Sequence, residues 1–105
     1  MGSVEPTEPV EPPAGEAPEI SLVENPAQDE ARFVYAVPGG TARATIRIYT
    51  VSGRLVFAAD LPPDAGDYTW NLTSQRGERL AAGLYLYVLV TDRGASTVGR
   101  LVIER

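Results

Sequence analysis

From Ile20 onward the chain alternates apolar and polar residues with the period of two that marks half-buried strands. Ile20 and Leu22, with Val23 at the end, predict a first short strand. Arg32-Phe33-Val34-Tyr35-Ala36-Val37 predicts a second, stopped by Pro38-Gly39-Gly40. The third, Ala42 to Val51, sends Ala44, Ile46 and Ile48 one way and Thr45, Arg47 and Tyr49 the other. Ser52-Gly53 turns the chain back into a fourth, Arg54 to Ala59. Residues 60–66 hold Pro62-Pro63 and read as a loop. A fifth strand, Asp67 to Leu72, places Tyr68, Trp70 and Leu72 on one face. After a longer loop, Thr73 to Ala82, come Gly83 to Thr91, a turn at Asp92-Arg93-Gly94, and a last strand from Ala95 to Glu104. Residues 25–30 read either as one helical turn, capped by Asn25 with Pro26 in the first helical position, or as a plain turn. Seven short strands separated by turn residues argue an all-β, antiparallel sandwich.

The sixth strand breaks the alternation. In Leu84-Tyr85-Leu86-Tyr87-Val88-Leu89-Val90 both faces are apolar. If Tyr85, Tyr87 and Leu89 fill the core, then Leu84, Leu86, Val88 and Val90 lie on the other side. A strand of a water-facing sheet ought to show one polar face. Either another segment, a loop or the acidic N-terminal stretch, covers this side, or it is a docking surface.

Charge divides the chain. Residues 1–30 carry eight acids and no Arg, a formal charge of −8. Residues 31–105 carry all nine arginines and six acids, a charge of +3. Val4-Glu5-Pro6, Thr7-Glu8-Pro9 and Val10-Glu11-Pro12 repeat an x-Glu-Pro triplet. Proline disfavours helix there, and repelling glutamates extend the chain toward polyproline II. Residues 1–19 are thus expected to form a disordered, acidic, Pro/Glu-rich linker, of which residues 1–3 read as an expression scar. Residues 20–105 are expected to form one domain. A tether followed by a module reads as part of a longer protein.

Composition removes most chemistry. There is no Cys, His or Lys. Thiolate chemistry, imidazole proton transfer and Schiff-base formation are all unavailable. Ser21, Ser52, Ser74 and Ser96 have no basic partner to activate them. The acids lie in turns and the linker, without a paired arrangement for glycoside hydrolysis. Asp60, Asp64 and Asp67 surround one loop and are a weak calcium candidate, since Pro62-Pro63 limits convergence. Asn71-Leu72-Thr73 has the pattern of a glycosylation sequon and reads as chance. The arginines alternate with acids and form no basic stripe, which argues against nucleic acid. Tyr49, if exposed, is a candidate for stacking on a sugar. No apolar run has the ~20 residues of a membrane helix, and no signal peptide is evident. No cofactor is expected.

Several motifs together resemble a known group. Ala44-Thr-Ile-Arg-Ile-Tyr-Thr-Val-Ser-Gly53-Arg54-Leu55-Val56 is similar to a pattern shared by two bacterial domains. These are the immunoglobulin-like domain of the flagellar hook-capping protein and the C-terminal sorting domain of type IX (Por) secretion. Asn25-Pro26 stands where these domains open with Pro-Asn-Pro. Gly66-Asp-Tyr-Thr-Trp70-Asn resembles the segment leading to their buried tryptophan, and Leu80-Ala-Ala-Gly83-Leu-Tyr85 their Ala/Ser-Gly-x-Tyr motif. Gly99 to Arg105 looks like the terminal strand of the sorting domain. The resemblance implies a seven-stranded immunoglobulin-like sandwich, carried as a non-catalytic C-terminal module of a larger secreted bacterial protein. Its implied role is a secretion-sorting or cell-surface attachment signal. Its implied partners are the secretion or attachment machinery and upstream domains, without direct membrane insertion. The candidate recognition surface is Leu84, Leu86, Val88, Arg100, Leu101, Val102 and Ile103. A carbohydrate- or protein-binding module and a hook-cap type structural domain are the alternatives.

Overall fold

Residues 17–104 are described by a computed structural model. The expected linker lies outside the described residues except for its last three positions, and Glu19 already belongs to the first strand. Every regular element is a strand: β1 Glu19–Leu22, β2 Ala31–Ala36, β3 Ala44–Thr50, β4 Leu55–Leu61, β5 Asp67–Trp70, β6 Gly83–Thr91, β7 Gly94–Ala95 and β8 Gly99–Ile103. All pair antiparallel within two sheets. The first has the order β1-β2-β5. In the second, β4-β3-β6 is completed by β7 and β8, which share the far side of β6.

One core lies between the sheets. Alternation puts Ala31, Phe33 and Tyr35 of β2 into it from one side. Ile46, Ile48, Tyr85, Tyr87, Leu89, Leu101 and Ile103 enter from the other. Phe33 meets Tyr87 edge-on, with ring centroids 5.0 Å apart. Trp70 is 1% exposed, packs on Phe57 at 5.3 Å and donates its indole N–H to the Thr73 carbonyl at 3.1 Å. The core tyrosines keep their hydroxyls paired: Tyr35 donates to the Pro62 carbonyl, and Tyr85 to the Ala81 carbonyl four residues upstream.

Three details differ from the sequence reading, and a fourth decides between two readings it left open. First, the described residues form eight strands, because the expected last strand breaks over residues 96–98. There Ser96 bonds Leu89 twice, its N–H to the carbonyl and its hydroxyl from the amide. These bonds occupy the β6 positions that a regular ladder would use. Second, β4 runs on through Asp60 and Leu61, which pair with Thr45 and Ala44. Burial of Leu61 holds the strand in place, and it stops only at Pro62-Pro63, which has no N–H to offer. Third, β5 stops at Trp70 rather than Leu72, whose φ of 62° lies in the left-handed region. Fourth, no helical turn forms at residues 25–30. Asn25 does not cap a helix, because its side chain and the Ala27 backbone are engaged by β8. The Asn25–Pro26 peptide is cis.

Candidate functional site

The outer face of the second sheet is assembled row by row from strand register. Leu84 of β6 stands opposite Val102 of β8. Leu86 lies between Tyr49 of β3 and Arg100 of β8, and Leu55 of β4 pairs with Tyr49. Val88 lies beside Arg47, whose other neighbour is Ala58. Val90 is flanked by Thr45 and Ala95, with Asp60 beyond Thr45. Directly paired side chains on one face sit about 5 Å apart, so these residues form a continuous surface.

The result is an apolar ridge along β6, with arginine on both flanks. Leu84 is 41% exposed, Val102 39% and Leu55 50%. Leu86, Val88, Val90 and Tyr49 are half-buried by their neighbours. Among the described residues the only ion pair is Arg32–Asp67 at 3.1 Å, on the other sheet. Arg47 and Arg100 therefore have no carboxylate partner among the described residues. Asp60, the acid of this face, accepts a hydrogen bond from the Thr45 hydroxyl at 2.9 Å.

Five of the seven residues singled out in the sequence share this face: Leu84, Leu86, Val88, Arg100 and Val102. Leu101 and Ile103 do not. They are 0% and 1% exposed and belong to the core. A strand alternates its sides, so the final segment contributes only every second residue to any surface.

The edge of β8 is closed in a way the sequence did not reveal. The Asn25 side chain acts as one more strand residue: its Nδ2 donates to the Arg100 carbonyl at 3.2 Å, and its Oδ1 accepts from the Val102 amide at 3.0 Å. Ala27 continues the clasp in parallel, donating to the Val102 carbonyl at 2.8 Å and accepting from the Glu104 amide at 2.7 Å. Gln28 adds a side-chain bond to Glu104 at 3.2 Å. Gln75 does a similar service at the β4 edge, where its N–H donates to the Val56 carbonyl and its Oε1 accepts from the Ala58 amide. Sheet edges left open pair with other chains, so this module presents side chains of a face rather than these two edges. The sequence signal for the clasp was Asn25-Pro26, but its partner lies 75 or more residues away.

No chemistry gathers elsewhere among the described residues. Asp60, Asp64 and Asp67 do not converge on a metal position, and Asp67 is paired with Arg32. A shallow groove near β8 is lined by Glu24, Asp29, Glu30 and Glu104, again without a metal-ligating arrangement. Burial, as the main cause, raises the phenol pKa values of Tyr35, Tyr68 and Tyr87 above the ordinary 10.0. No helix among the described residues is long and apolar enough to cross a membrane.

Solved structures contain this fold. The chain superposes on dimeric latent PorU from Porphyromonas gingivalis with a TM-score of 0.71 and 23% identity over 95% of its length. It superposes on PorZ, an essential bacterial surface component of the type-IX secretion system of the same organism, with a TM-score of 0.58 and 19% identity over 82%. The chain spans 10% of the PorU chain and 11% of the PorZ chain. No protein-family model matches the sequence, and no curated protein matches it significantly. At these identities the likeness is one of fold.

Proposed function

We propose that this chain is a non-catalytic, immunoglobulin-like C-terminal module of a larger secreted bacterial protein. Its role is that of a secretion-sorting or cell-surface attachment signal, read through the outer face of the second sheet. The observation that carries the reading is the open apolar ridge of Leu84, Leu86 and Val88 between Arg47 and Arg100. Solvent-facing sheets normally alternate apolar and polar, so an apolar row with charged borders favours contact with a partner.

Further features support it. The sheet orders β1-β2-β5 and β4-β3-β6-β8 are those of a sandwich whose chain crosses between sheets, as in immunoglobulin-type domains. The backward hydrogen bond of Tyr85 to Ala81 resembles the tyrosine corner of such domains. The similarity to a PorZ segment brings type IX secretion to this chain as context, and the small share of PorZ and PorU spanned is consistent with one module among several. The absence of His, Cys and Lys supports a non-catalytic part.

The test is a folded surface variant. Leu86→Ser with Val88→Thr changes the ridge while leaving Tyr85, Tyr87 and Leu89 in the core. Circular dichroism first establishes that it folds. Expressed on the parent protein in its native host, it should accumulate in the periplasmic fraction and be depleted at the cell surface. Normal surface delivery removes this face from the mechanism. Normal delivery after loss of residues 22–105 removes the sorting role. A second reading, a carbohydrate- or protein-binding module, is favoured by one feature: Tyr49 stands beside Leu86 on the same face. Tyr49→Ala should then weaken binding to a polysaccharide panel and leave delivery intact.

A further inference from the structure

Granting that the ridge is the recognition face, we infer that its partner offers an extended protein segment of the pattern acid–x–apolar–x–acid, laid obliquely across β6 from Arg47 to Arg100.

Register places the two arginines diagonally. Val88 pairs with Arg47 on one side of β6, and Leu86 pairs with Arg100 on the other. Neighbouring strands lie ~4.8 Å apart and alternate residues of a strand ~6.8 Å apart, which separates the two arginine Cβ positions by about 12 Å. The line between them crosses β6 at the step from Leu86 to Val88. An extended segment repeats its side chains on one face every second residue, so residues i and i+4 stand about 13 Å apart with i+2 midway. Acids at i and i+4 thus meet Arg47 and Arg100, and an apolar residue at i+2 falls on the Leu86–Val88 step. Acids at i and i+2 stand too close, and acids at i and i+3 point to opposite sides.

Charge and shape favour this occupant. Both arginines are exposed, and neither side chain has a hydrogen-bond or ion-pair partner among the described residues. Three acids at the rim of the sheet are already engaged: Asp60 by the Thr45 hydroxyl, Asp92 by the amides of Ala42 and Arg43, and Glu104 by Gln28. Arginine holds a carboxylate through two parallel N–H donors. Leu86 and Val88 are half-buried between their neighbours, so they present a surface to be covered rather than anchors to insert into lipid. Two arginines are also few for a lasting hold on an anionic bilayer. A second copy of the face brings the same two arginines and no free acid beside them. A protein segment supplies both the carboxylates and the apolar residue. Gln75 occupies the β4 edge, and Asn25 and Ala27 the β8 edge, so the segment lies on the face and adds no strand there.

The test uses the full chain and a defined probe, the end-blocked peptide Ser-Glu-Thr-Leu-Thr-Glu-Ser. Amide and arginine side-chain NMR signals are followed as the peptide is added. The expected result is a saturable shift at Arg47, Leu86, Val88 and Arg100, with the first sheet unmoved. Arg47→Gln and Arg100→Gln should each weaken binding about threefold and together about tenfold, the range of exposed ion pairs. The same residues reordered with adjacent acids, Ser-Thr-Leu-Thr-Glu-Glu-Ser, should bind about threefold more weakly, having lost one pair. No shift at the ridge, equal binding of the two peptides, or binding that survives both Gln changes overturns the inference. A stronger response to phosphatidylglycerol vesicles than to the peptide assigns the face to a lipid surface and also overturns it. So do ridge shifts that follow protein concentration alone, which assign the face to a second copy. Peptide binding is read without surface delivery, so the two proposals fail separately. Normal delivery of the Leu86→Ser, Val88→Thr variant removes the recognition role, whereas failure of the peptide removes the acid–x–apolar–x–acid partner.

Discussion

Trp70 shows how much one residue carries here. Its ring is buried between the sheets, its indole N–H is paired, and Phe57 covers it. Trp70→Ala removes that surface and leaves a cavity, which should cost about 3–5 kcal/mol. Small domains have roughly 5–15 kcal/mol in all, so the urea midpoint should fall steeply. A midpoint near wild type would place the ring outside the core. Asp92 is a different case, exposed yet ordered. Its carboxylate accepts the amides of Arg43 at 3.1 Å and Ala42 at 3.1 Å, and the Arg43 bond is the leading cause of a pKa below the ordinary 3.8. A group with a lowered folded pKa stabilises the fold above its unfolded value and loses that contribution as pH falls through the folded one. Asp92→Asn should therefore be less stable than wild type near neutral pH, and the gap should close below about pH 4. Melting curves of both proteins across that range check the sign.

Elements were legible in the sequence to the extent that burial dictated them. The inward rows of β2 and β3 follow from strict alternation, and so does the double-sided β6 with Tyr85, Tyr87 and Leu89 inside. What was not legible depends on distant partners. Nothing local to Asp60-Leu61 reveals that Ala44 and Thr45 will hold them in a ladder. Nothing local to Asn25 shows that its amide completes an edge formed by residues 100–102. In the sequence the terminal motif reads as one block, whereas the strand splits it by side and takes Leu101 and Ile103 into the core. Gly99 follows the same logic: a Cβ there would stand 2.2 Å from the Tyr87 ring, so the residue that begins β8 has to be small. The clasp gives a prediction at this scale. Asn25→Ala removes two exposed bonds and should cost about 1 kcal/mol. Its effect should be local. Amide exchange of Val102, which donates to Asn25, should accelerate, while Leu101, whose bonds face β6, keeps its rate. Equal acceleration of both would mean that the clasp opens only with the whole sheet.

At the scale of the molecule, the change from an acidic, proline-rich stretch to an arginine-bearing, strand-patterned one is a property of the sequence itself. The outer ridge was visible from the pattern of β6. The arginine borders were not, because they arise from register: Arg47 and Arg100 are 53 positions apart in sequence and flank β6 only once the sheet is built. The same long-range construction has a consequence in time. β8 is the last of the eight strands to be synthesised. It supplies Leu101 and Ile103 to the centre of the core, and it is also the strand to which Asn25 and Ala27 are tied. Contacts spanning most of the chain form late and slowly. Until residues 99–104 have emerged, the side of β6 away from β3 has no neighbour along Gly83–Tyr87 and the segment after β1 has nothing to grip. A chain emerging from the ribosome or threading a pore N-terminus first thus stays unclosed until residues 99–104 are free. Completion of the fold then reports that β8 has arrived.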